Sequence, residues 1–162
     1  MNTNNTVFLY TDGSCSKNPG PGGWGYALFY NTSQKDDYGH ALETTNNRME
    51  LQAVIEGLNA LTRPMPVRVF TDSKYVMDGA TQWMHGWKAK NWQKKGGLKN
   101  ADLWQKLDKA LAPHTVEWEW VKGHSGDTWN EHVDKLAVKG TQKAQAILAK
   151  QGGKSSAEAD HE

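Results

Sequence analysis

Two aspartates stand at the ends of apolar segments in this chain of 162 residues. Asp12 closes the run VFLYT that begins at Val7, and Asp72 closes the run VRVFT that begins at Val67. Each aspartate follows a threonine and is followed, directly or after one glycine, by a serine. In open α/β sheets, ligands bind beyond the carboxyl ends of strands. If the two strands are parallel neighbours, the two carboxylates lie side by side at one edge of the sheet.

Glu50 and Asp134 are candidates for the same cluster of acids. Glu50 lies in the first turn of a predicted helix, so its side chain points back toward the helix N-terminus and the strand ends. Asp134 lies one turn into the last predicted helix. Carboxylates held close together repel one another unless one is protonated or a cation lies between them. Four carboxylates favour Mg²⁺ or Mn²⁺ over zinc, and two such ions about 4 Å apart perform phosphoryl transfer in nucleases.

Each of these acids also has an ordinary structural interpretation. Aspartates at strand ends cap turns or helices, and a glutamate favours the N-terminus of a helix. For any one acid alone, that interpretation is the commoner one. The joint placement of the four acids favours a shared site.

The residue patterns predict the order β-β-β-α-β-α-α-α-β-α, a mixed α/β fold. Strands are predicted at 7–11, 25–31, 35–42, 67–71 and 116–121. The last strand alternates, with Val116, Trp118 and Trp120 on one face and Glu117 and Glu119 on a solvated face, and we expect the two tryptophans to pack. Helices are predicted at 47–61, from Ser73 through Gly79, at 82–90, from residue 100 or 102 to 111, and at 130–148. Asn46 or Asn47 is the predicted N-cap of the first helix, and 18–25 (NPGPGGWG) a turn or bulge. We expect one domain, residues 1–148, and a disordered C-terminal tail, residues 149–162.

Composition excludes several classes of function. The formal net charge is +1, so any signal for nucleic-acid binding must be local. Cys15 is the single cysteine, which excludes an internal disulfide and fits a reducing compartment. No apolar run approaches the roughly 20 residues that span a bilayer, and the start MNTNNT lacks the features of a secretory signal. We therefore expect a soluble, cytoplasmic, monomeric protein without a membrane partner.

A local basic stretch extends from Gly79 to Ala101, which contains no acid. Its lysines supply affinity for phosphate and its tryptophans supply stacking or sugar contacts. The alternative is a solvated charge run on a helix whose tryptophans belong to the core, and we expect one ring of the pair Trp83 and Trp87 to face the core. The residues concerned are Trp83, Trp87, Lys88, Lys90, Trp92, Lys94, Lys95 and Lys99.

An ordered set of motifs resembles bacterial type 1 ribonuclease H. The motifs are TDGSC-x-x-NPGPGG (11–23), TTNNRMEL (44–51), TDSKYV (71–76), TQWMHGWK (81–88), DLWQKLD (102–108) and WEWVKGHSG…NE…D (118–134). Each motif is weak alone, but the ordered set covers nearly the whole chain from about residue 7 to 140. The resemblance implies a five-stranded mixed sheet flanked by helices. It also implies Mg²⁺-dependent hydrolysis of the RNA strand of RNA–DNA hybrids.

The resemblance assigns catalytic roles to five residues. Asp12, Glu50, Asp72 and Asp134 match the metal-binding carboxylates of the family, with Asp12 expected to bridge two ions. One ion would activate water and the other would stabilise the leaving 3′-oxygen, which implies 5′-phosphate and 3′-hydroxyl products. His124 matches a loop histidine of the family. An imidazole with an ordinary pKa near 6.5 can shuttle a proton or help product release.

The resemblance also assigns contacts with the hybrid. Asn18, Asn46 and Asn47 match residues at the minor groove, where an amide can both donate to and accept from the 2′-hydroxyl that distinguishes RNA. Cys15 matches a position beside the substrate, and the basic stretch matches a protrusion that grips the DNA strand. Thr45 and Asn100 match two members of a pocket for a DNA phosphate.

Two positions depart from the family pattern. Lys74 stands where many relatives carry a glutamine that touches the hybrid, so charge replaces hydrogen-bond recognition. Glu43 stands where relatives often carry an arginine of the phosphate pocket, and an acid there repels phosphate. The sequence therefore predicts an active enzyme with weaker hybrid binding.

Two other functions compete with a hybrid-specific endoribonuclease. The chain could be a hybrid-binding module whose catalysis has lapsed, which the presence of all four carboxylates and His124 disfavours. It could also be a metal-dependent DNA nuclease of the same fold, which the asparagine set and the basic protrusion disfavour.

Overall fold

A five-stranded mixed sheet forms the centre of the fold in this computed structural model, which describes residues 5–122 and 128–160. The strands are β1 (Val7–Cys15), β2 (Gly20–Tyr30), β3 (Ser33–Thr44), β4 (Pro66–Thr71) and β5 (Thr115–Trp120). Their order across the sheet is β3-β2-β1-β4-β5. β1, β2 and β3 pair antiparallel, whereas β1, β4 and β5 pair parallel. The predicted neighbourhood of the two Thr-Asp strands is therefore confirmed.

Helices pack on both faces of this sheet. They are α1 (Asn46–Asn59), α2 (Lys74–Asp78), α3 (Met84–Ala89), α4 (Ala101–Leu111) and α5 (Thr128–Asp160), and one π-helical turn, Gly79–Trp83, joins α2 to α3. The predicted order of elements is confirmed. Among the described residues, no helix combines the length and the apolar character needed to cross a bilayer.

The main core lies between the sheet and the helices α1 and α4. Along β1, Val7, Leu9 and Thr11 are buried on one face because side chains alternate along a strand. Trp104 of α4 is fully buried in this core. The ring of Trp87 packs against the same cluster, whereas Trp83 is 40% exposed, so one ring of that pair faces the core as predicted.

Three local predictions are wrong. β2 begins at Gly20, within the segment predicted as a turn, although the predicted bulge is present as a register shift between Gly20 and Gly22. The N-cap of α1 is Thr45, whose side chain accepts a hydrogen bond from Arg48 N at 3.2 Å, because its hydroxyl reaches the free N–H groups of the first turn. Trp120, expected to pack, is 43% exposed at the end of β5.

The last helix is longer than the sequence pattern indicates. Its backbone is helical to Asp160, past the predicted end at residue 148. The division into a domain of residues 1–148 and a tail of residues 149–162 stays a prediction.

Candidate active site

Three carboxylates meet at the carboxyl edge of the two central parallel strands. Asp12 lies on β1 where that strand has passed its last pairing with β4, Asp72 directly follows β4, and Glu50 lies in the first turn of α1. One oxygen of each carboxylate lies within 4.8 Å of an oxygen of the other two. The structure thus brings together three of the four predicted acids in one group.

A glycine beside Asp12 allows α1 to reach this edge. A Cβ placed on Gly13 would lie 2.5 Å from the backbone N of Glu50 and 2.6 Å from the carbonyl carbon of Met49. Only glycine therefore permits the start of α1 to pack directly on β1. The close approach places the Glu50 side chain against Asp12.

A second glycine allows α5 to complete the cluster. Gly25 pairs with Asp12 across β1 and β2, and a Cβ on it would lie 2.6 Å from the Leu136 Cβ and 3.0 Å from the Val133 carbonyl oxygen. The α5 backbone therefore passes directly over this point of the sheet. As a result Asp134 lies close enough to Asp12 to contribute to the raised pKa of that carboxyl.

Burial and mutual repulsion strongly favour protonation of the cluster in the absence of a cation. The pKa of Asp12 is raised from 3.8 to about 8, first by burial and next by the charge of Asp72. The pKa of Glu50 is also raised, by burial above all and then by the charges of Asp12 and Asp72. Both side chains are about 95% buried, so water does not screen them.

The chemistry of this oxygen set fits a hard divalent cation. Among the residues that the structure describes, Glu50 Oε1 and Asp72 Oδ1 are buried without a hydrogen-bond partner. A buried charged oxygen without a partner is costly, and a cation removes that cost. Carboxylate oxygens without thiol or imidazole ligands are typical of Mg²⁺ and Mn²⁺ sites.

The predicted catalytic histidine cannot be placed. His124 lies outside the described residues, so its role stays a prediction.

The predicted minor-groove asparagines gather next to the carboxylates. Asn18 lies in the connection between β1 and β2, and its Oδ1 accepts a hydrogen bond from Asn46 N at 3.2 Å. Asn46 and Asn47 are the first two residues of α1, one turn before Glu50. The Cys15 thiol donates to the carbonyl oxygen of Lys17, and its substrate contact stays a prediction.

Arg48, for which the sequence predicts no role, is hydrogen-bonded to both predicted phosphate-pocket residues, Thr45 and Asn100. Arg48 donates to both carboxylate oxygens of Asp102, at 2.9 and 2.7 Å, and to Asn100 Oδ1 at 3.3 Å. Asn100 in turn donates to the Tyr75 hydroxyl at 3.0 Å. Thr45 is occupied as the N-cap of α1, and Glu43 is exposed two residues earlier. Arg48 belongs to the motif TTNNRMEL, but its partner lies 54 residues away along the chain.

Most of the predicted basic stretch surrounds one open cleft. The cleft has a volume of about 730 Å³, an aromatic floor and a rim of lysines. Its predicted members are Trp83, Trp87, Lys90, Lys94, Lys95 and Lys99. Lys88 lies elsewhere and forms an ion pair with Asp108 of α4 at 3.2 Å, and Trp92 packs against the core. An aromatic floor with a cationic rim suits a nucleic-acid strand, but contact with the hybrid stays a prediction for all eight residues.

Comparison with known proteins agrees with this architecture. The RNase H family model matches residues 4–142. The ribonuclease H of Saccharopolyspora erythraea is 57% identical over 144 residues, which cover 86% of this chain and 93% of the relative. The ribonuclease H of Rickettsia bellii is 52% identical over 148 residues, which cover 90% of this chain and 96% of the relative.

Solved structures with the same fold give a consistent result. The crystal structure of LC9-RNase H1, a type 1 RNase H with the type 2 active-site motif, has a TM-score of 0.80 at 37% identity and covers 86% of this chain and 73% of that one. LC11-RNase H1 in complex with an RNA/DNA hybrid has a TM-score of 0.64 at 21% identity, over 86% and 99% of the two chains, which shows likeness of fold alone. With its acidic cluster at the strand ends, this chain belongs to the ribonuclease H family.

Proposed function

We propose that this chain is an endonuclease that hydrolyses the RNA strand of RNA–DNA hybrids with two divalent metal ions, Mg²⁺ or Mn²⁺. The observation that carries the proposal is the group of Asp12, Glu50 and Asp72 at the carboxyl edge of β1 and β4. Membership of the ribonuclease H family supports the substrate, and the lysine-rimmed cleft supports a nucleic-acid ligand.

The carboxylates would hold the ions, and the ions would supply an activated water and stabilisation of the leaving oxygen. Asp72, Asp134 and Glu50 each affect the pKa of Asp12, so Asp12 is the acid that we expect to serve both ions. The protein's own contribution is to fix these acids on two strands and two helices. Burial and the charge of Asp72 raise the pKa of Asp12 to about 8, so a cation that bound there at neutral pH would displace a proton.

Recognition of the RNA strand would rest on the asparagines. The side-chain amides of Asn46 and Asn47 extend from the N-terminus of α1, and the amide of Asn18 faces the same turn. An amide donates and accepts, which matches the double capacity of a 2′-hydroxyl. Thr45 and Asn100, the lysine-rimmed cleft and Cys15 would hold the flanking strands, and His124 would assist the proton transfer or product release.

We also propose that the enzyme acts as a monomer in the cytoplasm. The single cysteine, Cys15, is compatible with a reducing compartment.

The test is cleavage of four matched duplexes with the same sequence: hybrid with labelled RNA, hybrid with labelled DNA, RNA duplex and DNA duplex. Each is incubated with Mg²⁺, Mn²⁺ or EDTA. The proposal predicts cleavage of the RNA strand of the hybrid alone, with no cleavage in EDTA. The products should carry a 5′-phosphate that a phosphate-dependent exonuclease accepts and a 3′-hydroxyl that a polymerase extends.

Other outcomes distinguish the alternatives. Binding of the hybrid without cleavage in either metal would indicate a binding module with lapsed catalysis. Cleavage of the DNA duplex would indicate a metal-dependent DNA nuclease of the same fold.

A further inference from the structure

Lys74 and Trp120 form an exposed pair beside the carboxylate of Asp72. Lys74 is the first residue of α2, two residues after Asp72, and Trp120 is the last residue of β5, the strand next to β4. The Lys74 ammonium nitrogen stands 4.8 Å from the centre of the Trp120 ring. This separation lies within the range of a cation–π interaction, for which tryptophan is the strongest ring.

The Trp120 ring is fixed in place although 43% of the residue is exposed. Its Nε1–H donates to the carbonyl oxygen of Asp72 at 3.4 Å. Trp120 is paired with Thr71 across β4 and β5, and Val121 N donates to the Thr71 carbonyl oxygen at 2.9 Å just beyond. Both the ring and the backbone of Trp120 are thus held against the segment Thr71–Asp72.

The charge of Lys74 is available to a ligand. Within residues 5–122 and 128–152, its ammonium group has no carboxylate at ion-pair distance, whereas Lys88 is paired with Asp108. The side chain is exposed, and Ser73 rather than Lys74 caps α2. The aromatic ring therefore restrains a long side chain that has no other described partner.

We propose that Trp120 is a positioning residue that holds Lys74 for a phosphate of the RNA strand next to the scissile bond. The inference rests on the proposed function. The cleaved strand must pass over Asp72, so its neighbouring phosphates are the anions nearest to the pair. An ammonium group serves as a compact point charge toward such a phosphate. Holding it on a ring lowers the entropy lost when the phosphate binds.

Three variants separate this role from simple packing. Lys74→Met removes the charge and keeps an unbranched side chain, without adding the amide that touches the hybrid in many relatives. Trp120→Leu removes the ring, and Trp120→Phe keeps a ring but loses the Nε1–H donor to Asp72. Lys139→Met is the matched control, because its ammonium also lies over a ring, that of Tyr38 at 5.1 Å, but on α5 and β3.

The experiment measures KM and kcat for RNA-strand cleavage of a hybrid, and its dissociation constant in EDTA, across a series of salt concentrations. Lys74→Met should raise KM about three- to tenfold, with kcat within twofold, and should make the slope of log K against log salt shallower by about 1. Trp120→Leu should reproduce both effects, and the double variant should bind no more weakly than either single variant. Trp120→Phe should keep KM near the wild-type value, and Lys139→Met should leave KM and the salt slope unchanged.

The result that would overturn the inference is a Trp120→Leu protein with wild-type KM and salt slope, or effects that add in the double variant. A loss confined to kcat would also overturn it, because it would assign Trp120 to the support of Asp72 alone. A wild-type protein that fails to cleave the hybrid would contradict the proposed function instead. The two failures are therefore distinguishable in one set of measurements.

Discussion

Replacing Asp12 with asparagine should stabilise the metal-free protein, and the gain should depend on pH. The folded protein holds the Asp12 proton to about pH 8, whereas the unfolded chain releases it near pH 3.8. The folded state therefore binds more protons at this group between these values, so the contribution of Asp12 to the free energy of unfolding is highest below pH 4 and falls as pH rises toward 8. Asparagine does not titrate, so the variant lacks this loss.

The magnitude follows from the pKa difference. Between pH 4 and pH 7 the wild type loses about 1.4 kcal/mol for each pH unit through this group, so the total is on the order of 4 kcal/mol. Asparagine keeps the oxygen that accepts the Gly13 N–H, which is 2.9 Å away in the wild type. In EDTA, Asp12→Asn should thus be more stable than the wild type by about 4 kcal/mol at pH 7 and by about 1 kcal/mol or less at pH 4.

The assay is urea unfolding followed by circular dichroism at both pH values, in EDTA and then in Mg²⁺. Added Mg²⁺ should stabilise the wild type more than the variant, because the ion binds the folded cluster. Asp37→Asn is the matched control. This exposed carboxylate accepts the same local bond, from Tyr38 N at 2.8 Å, so its removal should change stability by about 0.5 kcal/mol or less at either pH. An advantage of Asp12→Asn that is equal at pH 4 and pH 7, or absent at pH 7, would refute the reasoning.

Three further predictions concern packing and charge. Gly79→Ala should lower the free energy of unfolding by about 1–3 kcal/mol, because the added Cβ would overlap the buried ring of Trp104. Gly86→Ala is the control and should not lower it, because the space around Gly86 is open. Urea unfolding of both variants tests this prediction. Glu43→Arg should lower the KM for the hybrid and steepen the slope of log affinity against log salt by about 1. An unchanged KM would show that position 43 does not affect phosphate binding. Gly25→Ala should lower kcat by about tenfold or more, because the added methyl group would push α5, and with it the carboxylate of Asp134, away from Asp12. A tenfold loss corresponds to about 1.4 kcal/mol of transition-state stabilisation. A variant with wild-type kcat would contradict this prediction.

The sequence predicts the position of the acids better than the details around them. Asp12 and Asp72 are recognisable because the same Thr-Asp pair ends two apolar strands, and parallel neighbours bring such ends together. The start of β2 is not recognisable, because glycines that usually mark turns here make room for a helix. Gly23 and Gly25 lie within β2, and both are glycines because α5 passes directly over them and leaves no room for a side chain.

Contacts between distant residues account for what the sequence does not show. Arg48 and Asp102 belong to two separate motifs, and only the packing of α1 against α4 makes them partners. The alternation along β5 correctly places Val116 and Trp118 against the core, but it does not reveal that the core ends before Trp120. A period-two pattern gives the face of a side chain, and tertiary packing decides whether that face is covered.

The most direct test of the catalytic cluster is single-turnover cleavage of a hybrid by the wild type and by Asp12→Asn, with enzyme in excess and saturating Mg²⁺. Loss of the acid that we propose to serve both ions should remove about 4 kcal/mol or more of transition-state stabilisation, a reduction of about a thousandfold. The variant should still unfold cooperatively and bind the hybrid in EDTA. A folded Asp12→Asn protein that cleaves the RNA strand within tenfold of the wild-type rate would contradict the assignment of these carboxylates to catalysis.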